Sequence, residues 1–279
     1  MDLDTLLASL ANEYRWYVFI GAFGVIALWE SFQPRRRLTA STPRRWLINI
    51  ALTFGNTILL RLSLPLFAIG VATLAQQQGW GLLNLVQLPA WLAFVLAFLA
   101  LDITRYVQHL ALHHVPALWR LHRIHHADVD YDCTTGLRFH PLEAFFSEAV
   151  LFGAIIILGA APFTVMTFEL VYLVIAFFSH GNIGFPKIDY YVRLFLVTPD
   201  MHRVHHSVEM AETNSNFGGL FPWWDRLFGT YRAQPAAGHT GMMIGLQEYR
   251  DPGELTFTRL LALPFLTRRT RSGVATPLE

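Results

Sequence analysis

Two clusters of histidine are the residues in this sequence best suited to chemistry. His202, His205 and His206 follow the spacing H-x-x-H-H, and a longer cluster earlier in the chain contains the same spacing. The longer cluster consists of His109, His113, His122, His125 and His126. Positions i, i+3 and i+4 lie on one face of a helix, so each cluster can present several imidazoles together. Neutral imidazole binds iron, zinc, copper and nickel, so the clusters predict a site for more than one metal ion.

Two other histidines are expected to have structural roles. His114 adjoins the longer cluster and His239 stands alone near the C-terminus. An isolated imidazole needs only an ordinary hydrogen bond to be satisfied, and no metal. For the clustered residues, the competing explanation is that they are amphipathic anchors at a membrane edge, which the repeated spacing disfavours.

Composition places the chain in a membrane. Its 279 residues are 53% hydrophobic and 15% charged, with a mean hydropathy of +0.37, which is too apolar for an ordinary soluble domain. The net charge of +1 argues against nucleic acid as a partner. The single cysteine, Cys133, excludes an intramolecular disulfide, a C-x-x-C zinc site and an iron–sulfur centre. The N-terminal segment begins with acids rather than a basic region, so no cleavable signal peptide is expected.

Five apolar stretches are predicted to cross a bilayer, because each approaches the length that a spanning helix needs. They are residues 14–32, 46–75, 81–101, 142–160 and 163–178. The last two are predicted to form a hairpin joined at GAAP. Arg61 and Pro65 interrupt the second stretch, which predicts a tilted or broken helix and leaves open a single crossing or a re-entrant pair.

Arginines determine the predicted orientation, because basic loops beside spans mark the cytoplasmic side. The loop after the first stretch contains Arg35, Arg36, Arg37, Arg44 and Arg45. The C-terminal tail contains Arg268, Arg269 and Arg271. The uncharged QQQGWG turn suits the opposite side. Five crossings then put the N-terminus outside, the C-terminus inside, and every clustered histidine on the cytoplasmic side.

One structural domain is expected, built from three regions of sequence. Residues 1–100 are predicted to form N-terminal transmembrane helices, and residues 101–232 the histidine-rich catalytic region with its transmembrane hairpin. Residues 233–279 are predicted to be a cytoplasmic tail. The expected fold class is all-α, an integral-membrane helical bundle with a cytoplasmic, histidine-rich, metal-binding cap.

Several motifs resemble those of the sterol desaturase and fatty acid hydroxylase superfamily of integral-membrane di-metal oxidases. Besides the histidine clusters, they are RFHPLE with His140, SHGN with His180, and NFGGLFPWWDRLFGTYR at residues 216–232. The similarity covers about residues 100–232 and is greatest to the bacterial branch named sterol desaturase. Two positions depart from the family pattern, since Leu110 stands where arginine is common and His114 is an additional histidine.

The resemblance implies that His140 and His180 join the eight clustered histidines as metal ligands. It also implies two iron ions, because oxygen activation needs a redox-active metal, although zinc can substitute in overexpressed protein. With dioxygen as co-substrate, such an enzyme hydroxylates or desaturates an unactivated C–H bond of a lipid. The substrate stays open among sterols, hopanoids, carotenoids and acyl chains, each entering laterally from the membrane.

The same resemblance has consequences for partners and supporting residues. No G-x-G-x-x-G fingerprint for a flavin or nicotinamide occurs, so electrons are expected from a separate protein, a ferredoxin or a b-type cytochrome with its reductase. The expected location is the bacterial inner membrane, with the active site facing the cytoplasm. The candidates for orienting the imidazoles or closing the site are Asp102, Asp128, Asn216, Trp224 and Asp225. For each of them, packing, a helix cap or a solvated position is the alternative.

Two other functions compete with an oxidase. A zinc-dependent membrane hydrolase needs a glutamate base beside its ligands, as in H-E-x-x-H, and no such motif occurs. A haem-bearing cytochrome would place single histidines on facing spans, whereas these histidines cluster outside the predicted spans. A non-enzymatic metal carrier is the remaining alternative, and the oxidase is favoured.

Overall fold

The computed structural model describes residues 3–266, apart from the side chains of residues 3–13 and of Pro186. Within these residues the chain is helical and forms no β-strand, which confirms the predicted all-α class. The tail arginines Arg268, Arg269 and Arg271, with the rest of the predicted tail after residue 266, lie outside the described residues.

Fourteen α-helices and three 3₁₀ turns make up the described chain. The first eight helices are α1 (Leu3–Phe32), α2 (Thr42–Ser63), α3 (Ala68–Gln77), α4 (Leu82–Leu85), α5 (Ala90–His114), α6 (Pro116–His126), α7 (Pro141–Leu158) and α8 (Pro162–His180). The others are α9 (Pro186–Val192), α10 (Pro199–His205), α11 (Met210–Thr213), α12 (Trp223–Leu227), α13 (Gly238–Gly241) and α14 (Phe257–Ala262). The 3₁₀ turns are Cys133–Leu137, Pro252–Glu254 and Leu263–Phe265.

Four helical stretches are long and apolar enough to cross a membrane, namely residues 42–85, 90–114, 141–158 and 162–180. They coincide with four of the five predicted spans and identify a membrane protein. The remaining predicted span lies in α1, which is helical but is not among the four. Five crossings therefore stay a prediction.

The second predicted span passes through the bundle once, with a break. α2 ends and α3 begins on either side of Pro65, which has no N–H to continue the helical hydrogen bonds. The beginning of α2 lies at the histidine end of the bundle, because Arg45 binds Asp128 just after the longer histidine cluster. The chain after α3 contacts Gly159, at the opposite end of α7. The chain therefore runs from the histidine end of the bundle to the opposite end, with one break between α2 and α3.

α7 and α8 form the predicted hairpin. Each begins with a proline in its first turn, and Gly159 ends α7 in the left-handed conformation with a φ of 68°. Gly81 approaches this turn so closely that a Cβ atom there would lie 2.1 Å from the backbone nitrogen of Gly159. Glycine is required at both positions, and the close contact holds the turn against the segment before α4.

α1 runs parallel to α8 and ends beside the histidines. Midway along both helices, Arg15 lies 3.5 Å from Glu169. At the end of α1, the buried carboxylate of Glu30 accepts hydrogen bonds from the backbone N–H groups of Cys133 and Asn182 at 3.1 and 3.0 Å. Since Asn182 follows α8 directly, both helices finish at the end of the bundle where the histidines lie.

Candidate metal centre

Nine of the ten predicted ligands lie in two adjoining groups, and within each group the candidate donor atoms lie within 4.8 Å of one another. The first group consists of His109, His113, His122, His126 and His205. The second group consists of His125, His180, His202 and His206. The two groups adjoin where the ring of His126 stacks on that of His206, with centroids 4.6 Å apart.

Each H-x-x-H-H motif divides its histidines between the two groups. α6 places His122 and His126 in the first group and His125 in the second. α10 and the residue after it do the reverse, with one histidine in the first group and two in the second. The three positions of the motif span about 100° of a helix, so one face can serve two neighbouring sites. The repeated motif therefore builds a two-part site between two helices.

Nε2 is the ring atom that the structure leaves available for a metal in most of the nine rings. In His113, His126, His205 and His206, this atom is buried and has no hydrogen-bond partner among residues 3–266. Between the other rings the Nε2–Nε2 distances are 3.2 Å for His109–His122, 3.2 Å for His125–His180 and 3.0 Å for His180–His202. Two nitrogens bound about 2.1 Å from one ion and at right angles to each other are about 3.0 Å apart. The buried donors therefore fit metal coordination.

Burial keeps these imidazoles in the form that binds metal. Burial, and secondarily the neighbouring histidines, hold the pKa values of His125, His126, His202 and His206 well below the ordinary value. Burial lowers the pKa of His205 to about 3. Only a neutral imidazole has a lone pair free for a metal ion. These rings are therefore competent ligands at neutral pH.

Backbone carbonyls orient three of the rings through Nδ1. The distances from Nδ1 to the acceptor oxygen are 2.9 Å for His109–Phe217, 2.7 Å for His205–Ser215 and 2.7 Å for His180–Ala176. A carbonyl oxygen can only accept, so each Nδ1 carries the proton and Nε2 is left as the ligand atom. His113 has a similar contact, 3.3 Å from its Nδ1 to Oδ1 of Asn214.

Glu143, which was not among the predicted site residues, orients His122. The Nδ1–H of His122 donates to Oε1 of Glu143 over 2.6 Å, and both side chains are buried. The other carboxylate oxygen, Oε2, has no hydrogen-bond partner among the described residues. The signal was present in the sequence, since Glu143 is the acid of the RFHPLE segment, three residues after His140.

Replacing Glu143 by glutamine is expected to lower iron affinity by about 10–100-fold, the usual effect of losing a partner of a metal-bound histidine. Glutamine keeps the size of the side chain and removes the charge that holds the His122 ring. Iron retained per chain during dialysis against a chelator measures the effect. Glu209→Gln, at an exposed acid near the second cluster, is the matched control. Equal iron retention in both variants would contradict this role of Glu143.

Asp102 and Trp224, two of the five predicted supporting residues, bind each other. The Nε1–H of Trp224 donates to Asp102 over 2.7 Å, and the backbone N–H of Leu220 donates to the same carboxylate over 3.2 Å. Asp102 is buried in α5, about two turns before His109. The pair therefore fastens the C-terminal NFGG loop to α5, which carries the candidate ligands His109 and His113.

Asp225 and Asn216 act through the backbone beside the ligands. Asp225 accepts the N–H of Phe217 over 2.8 Å, and the carbonyl of Phe217 is the acceptor for His109. Asn216 has a φ of 55° and donates to the carbonyl of Met201, the residue before the candidate ligand His202. Within residues 3–266, none of these four residues forms a hydrogen bond to a histidine ring. They position the loop whose backbone carbonyls, at Ser215 and Phe217, accept hydrogen bonds from histidine rings.

Asp225→Asn is expected to give a folded protein with iron affinity lowered by about tenfold, because the loop that orients His109 loses a buried charged acceptor. Iron content and oxygen-dependent turnover measure the effect. Asp251→Asn, at an exposed acid that caps the Pro252–Glu254 turn, is the control. Full iron loading with unchanged turnover in Asp225→Asn would leave this residue a packing role only.

Asp128, the fifth predicted supporting residue, anchors α2 instead of a histidine. Its two carboxylate oxygens accept from Arg45 over 2.7 and 2.9 Å, and Arg45 also donates to Asp132 over 2.6 Å. Burial alone would raise the pKa of Asp128, but Arg45 and Arg138 hold it at about 2. This buried ion-pair network ties the start of α2 to the segment after α6.

Three histidines lie outside both groups. The structure does not bring His140 to the other predicted ligands, because its Nδ1 accepts the N–H of Leu142 at 3.1 Å and its Nε2 lies 3.2 Å from the carbonyl oxygen of Leu261. Both ring nitrogens thus have protein partners. His114 is exposed and bonds to its own helix, and His239 is buried beside an aspartate.

A cavity of about 790 Å³ opens onto both histidine groups. It reaches His109 and His122 of the first group and His125, His180 and His202 of the second. Its walls come from the long helices of the bundle together with α3. A molecule held among the membrane helices can therefore contact both halves of the site.

These features define a helical membrane protein with a buried, two-part polyhistidine site suited to metal. Residues 94–230 match the family model described as fatty acid hydroxylase. The chain belongs to the sterol desaturase and fatty acid hydroxylase superfamily, as its motifs predicted.

Curated relatives include several hydroxylases and monooxygenases. An ornithine lipid hydroxylase of Rhizobium tropici is 27% identical over 93% of this chain and 78% of its own length. An alkylglycerol monooxygenase of Xenopus tropicalis is 32% identical over 54% of this chain and 34% of its own length. The cholesterol 25-hydroxylase of Homo sapiens is 28% identical over 48% of this chain and 49% of its own length. The chain therefore spans most of the first relative but half or less of the other two.

These relatives support an oxidoreductase. No solved structure matches the chain significantly.

Proposed function

We propose that this chain is an oxygen-dependent di-iron oxidoreductase that hydroxylates or desaturates an unactivated C–H bond of a lipid. The observation that carries the proposal is the convergence of nine imidazoles, in two adjoining groups, at a cavity among membrane helices. Two groups of nitrogen donors suit two ions of roughly five- or six-fold coordination, with positions left for dioxygen.

In this proposal the chain's own residues bind the ions, orient the imidazole rings and enclose the substrate. When bound, iron supplies the redox chemistry that oxidises a C–H bond, and the protein provides position and access. The nine rings would hold the ions, while Glu143 and the backbone carbonyls fix the orientation of His122, His109 and His205. The cavity aligns the substrate beside both groups. Zinc has no redox chemistry and would be an inactive substitute.

Isotopically labelled dioxygen distinguishes this function from a zinc-dependent hydrolase. The protein is reconstituted with ferrous iron without oxygen, then given a chemical reductant, a membrane lipid extract and labelled dioxygen. An oxidase yields a lipid alcohol that carries one labelled oxygen atom, or an alkene that has lost two hydrogens. A hydrolase yields products that contain oxygen from water. Lipid turnover by zinc-loaded protein in the absence of oxygen would overturn the proposal.

The proposed partners follow from the relatives and from the sequence. Ornithine lipid, alkylglycerol and cholesterol, in the names of the relatives, are all lipids, which supports a lipid substrate here. The sequence has no dinucleotide fingerprint, so the proposed electron donor is a separate protein, a ferredoxin or a b-type cytochrome with its reductase.

Reporter fusions are expected to place the histidine end in the cytoplasm of a bacterial inner membrane. The arginine-rich loop lies at that end, since Arg35 donates to Asp200 over 3.0 Å, and basic loops stay in the cytoplasm. Fusions after Arg45 and at Glu279 should report the cytoplasm, and a fusion at Gly79 the opposite side. A cytoplasmic signal at Gly79 with an external signal at Glu279 would reverse the proposed orientation.

A further inference from the structure

The cavity at the histidines is elongated along α8. Glu169, Tyr172, Leu173 and Ala176 line it in succession, and His180 lines its inner end. These residues follow the helical spacing of a single face. From Glu169 to His180 the helix rises by about 16 Å. The cavity therefore has the length of an extended chain, with the metal centre at one end.

The other end of the cavity carries uncompensated positive charge. Arg15 and Arg61 both line it there. Arg15 lies 3.5 Å from Glu169 and its side chain is 46% exposed. Arg61 is exposed and has no hydrogen bond or ion pair among the described residues; its guanidinium lies 6.0 and 5.8 Å from the rings of Trp16 and Phe67. Arg105 and Glu148 line the cavity beside Arg15 and Glu169, so three cations face two carboxylates and leave a net charge of +1.

An arginine within a membrane stretch is costly unless it faces protein, water or a polar ligand. Arg61 lies in the last turn of α2, just before the break at Pro65. Stacking on aromatic rings holds a guanidinium in place and leaves its N–H donors free for a planar or tetrahedral oxyanion. The wall between this end and the histidines includes apolar side chains, among them Phe19, Leu60 and Leu173. The arrangement suits a charged group at the arginine end of the cavity and a hydrocarbon chain between that end and the histidines.

We infer that Arg61, assisted by Arg15, binds the anionic head group of a chain-bearing lipid, a carboxylate or a phosphate, while its chain runs along α8 to the histidines. The inference rests on the proposed function and specifies its substrate class. The oxidised carbon then lies about 16 Å from the anionic group, in the chain rather than beside the head group.

Binding without turnover tests the inference. Iron-loaded protein, kept without reductant, is titrated with octadecanoic acid, octadecyl phosphate and octadecanol. We expect both anions to bind at least about tenfold more tightly than octadecanol, because charge-assisted hydrogen bonds to arginine are strong. Arg61→Gln should abolish this preference and leave octadecanol binding unchanged, and Arg61→Lys should keep part of it. Arg37→Gln, at an exposed arginine outside the cavity, should keep it fully.

Several outcomes would overturn the inference. The first is that the unmodified protein binds octadecanoic acid and octadecanol with equal affinity. The second is that Arg61→Gln lowers the affinity for both compounds equally. Displacement of the bound acid by inorganic phosphate at the same concentration would indicate a free-anion site instead of a lipid site. None of these measurements depends on oxidation, so failure of the proposed enzyme activity would be seen separately.

Photolabelling tests the direction of the chain. An octadecanoic acid with a diazirine at its methyl end should label peptides that contain Leu112 or Leu137, which line the cavity near the histidines. A diazirine beside the carboxyl group should label residues 60–70 instead. The reversed pattern would place the head group at the metal centre and overturn the inference.

Discussion

Replacement of His122 or His205 by alanine is expected to abolish oxygen-dependent lipid oxidation while leaving the protein folded and in the membrane. Both rings belong to the first group and direct Nε2 toward its other members. Removing a ligand itself should cost more than the about 10–100-fold typical of losing an outer partner. Metal analysis after iron reconstitution should find two ions per unmodified chain and one ion in each variant.

The second histidine group provides the complementary experiment. His202→Ala removes a ligand of that group, so it should also leave one ion per chain and no turnover. His239→Ala is the control, because His239 is buried but lies outside both groups. One ion or none in the carefully reconstituted unmodified protein would contradict a two-ion centre. If His239→Ala lowered metal content and turnover as much as His205→Ala, the assignment of ligands would be contradicted.

Arg45→Ala is expected to destabilise the fold by about 3–5 kcal/mol, because removing one member of a buried ion-pair network leaves uncompensated buried charge. Arg45 is 5% exposed and binds both Asp128 and Asp132, which are also buried. The loss should loosen α2 from the segment that follows α6, and iron retention should fall with it. Thermal unfolding of the detergent-solubilised protein, followed by tryptophan fluorescence, measures the change.

The adjacent arginine is the control for this experiment. Arg44 is exposed and donates one hydrogen bond of 3.0 Å to the carbonyl of Gly253. Exposed interactions of this kind contribute little, so Arg44→Ala should unfold close to the temperature of the unmodified protein. If Arg45→Ala also unfolded there, the network around Asp128 would not stabilise the junction between α2 and the metal centre.

Local sequence determined the helices and most of the candidate ligands. A helix period is a property of contiguous residues, so the spacing in His122, His125 and His126 was enough to predict that their rings lie together. The apolar hairpin was predictable for the same reason, because length and Pro or Gly punctuation are read along the chain. Motif resemblance over about residues 100–232 then correctly identified the family, whose model matches residues 94–230.

Tertiary structure decided which histidines meet and what orients them. His140 and His180 are both isolated in sequence, yet only His180 reaches a group, because Nδ1 of His140 caps α7 and its Nε2 faces the carbonyl of Leu261 in α14. Glu143 reaches His122 only through the packing of α7 beside α6. Asp128 lies two residues after the candidate ligand His126, but it forms an ion pair with Arg45 of α2 instead. Contacts of this kind join residues distant in sequence and depend on how helices pack, which no local spacing encodes.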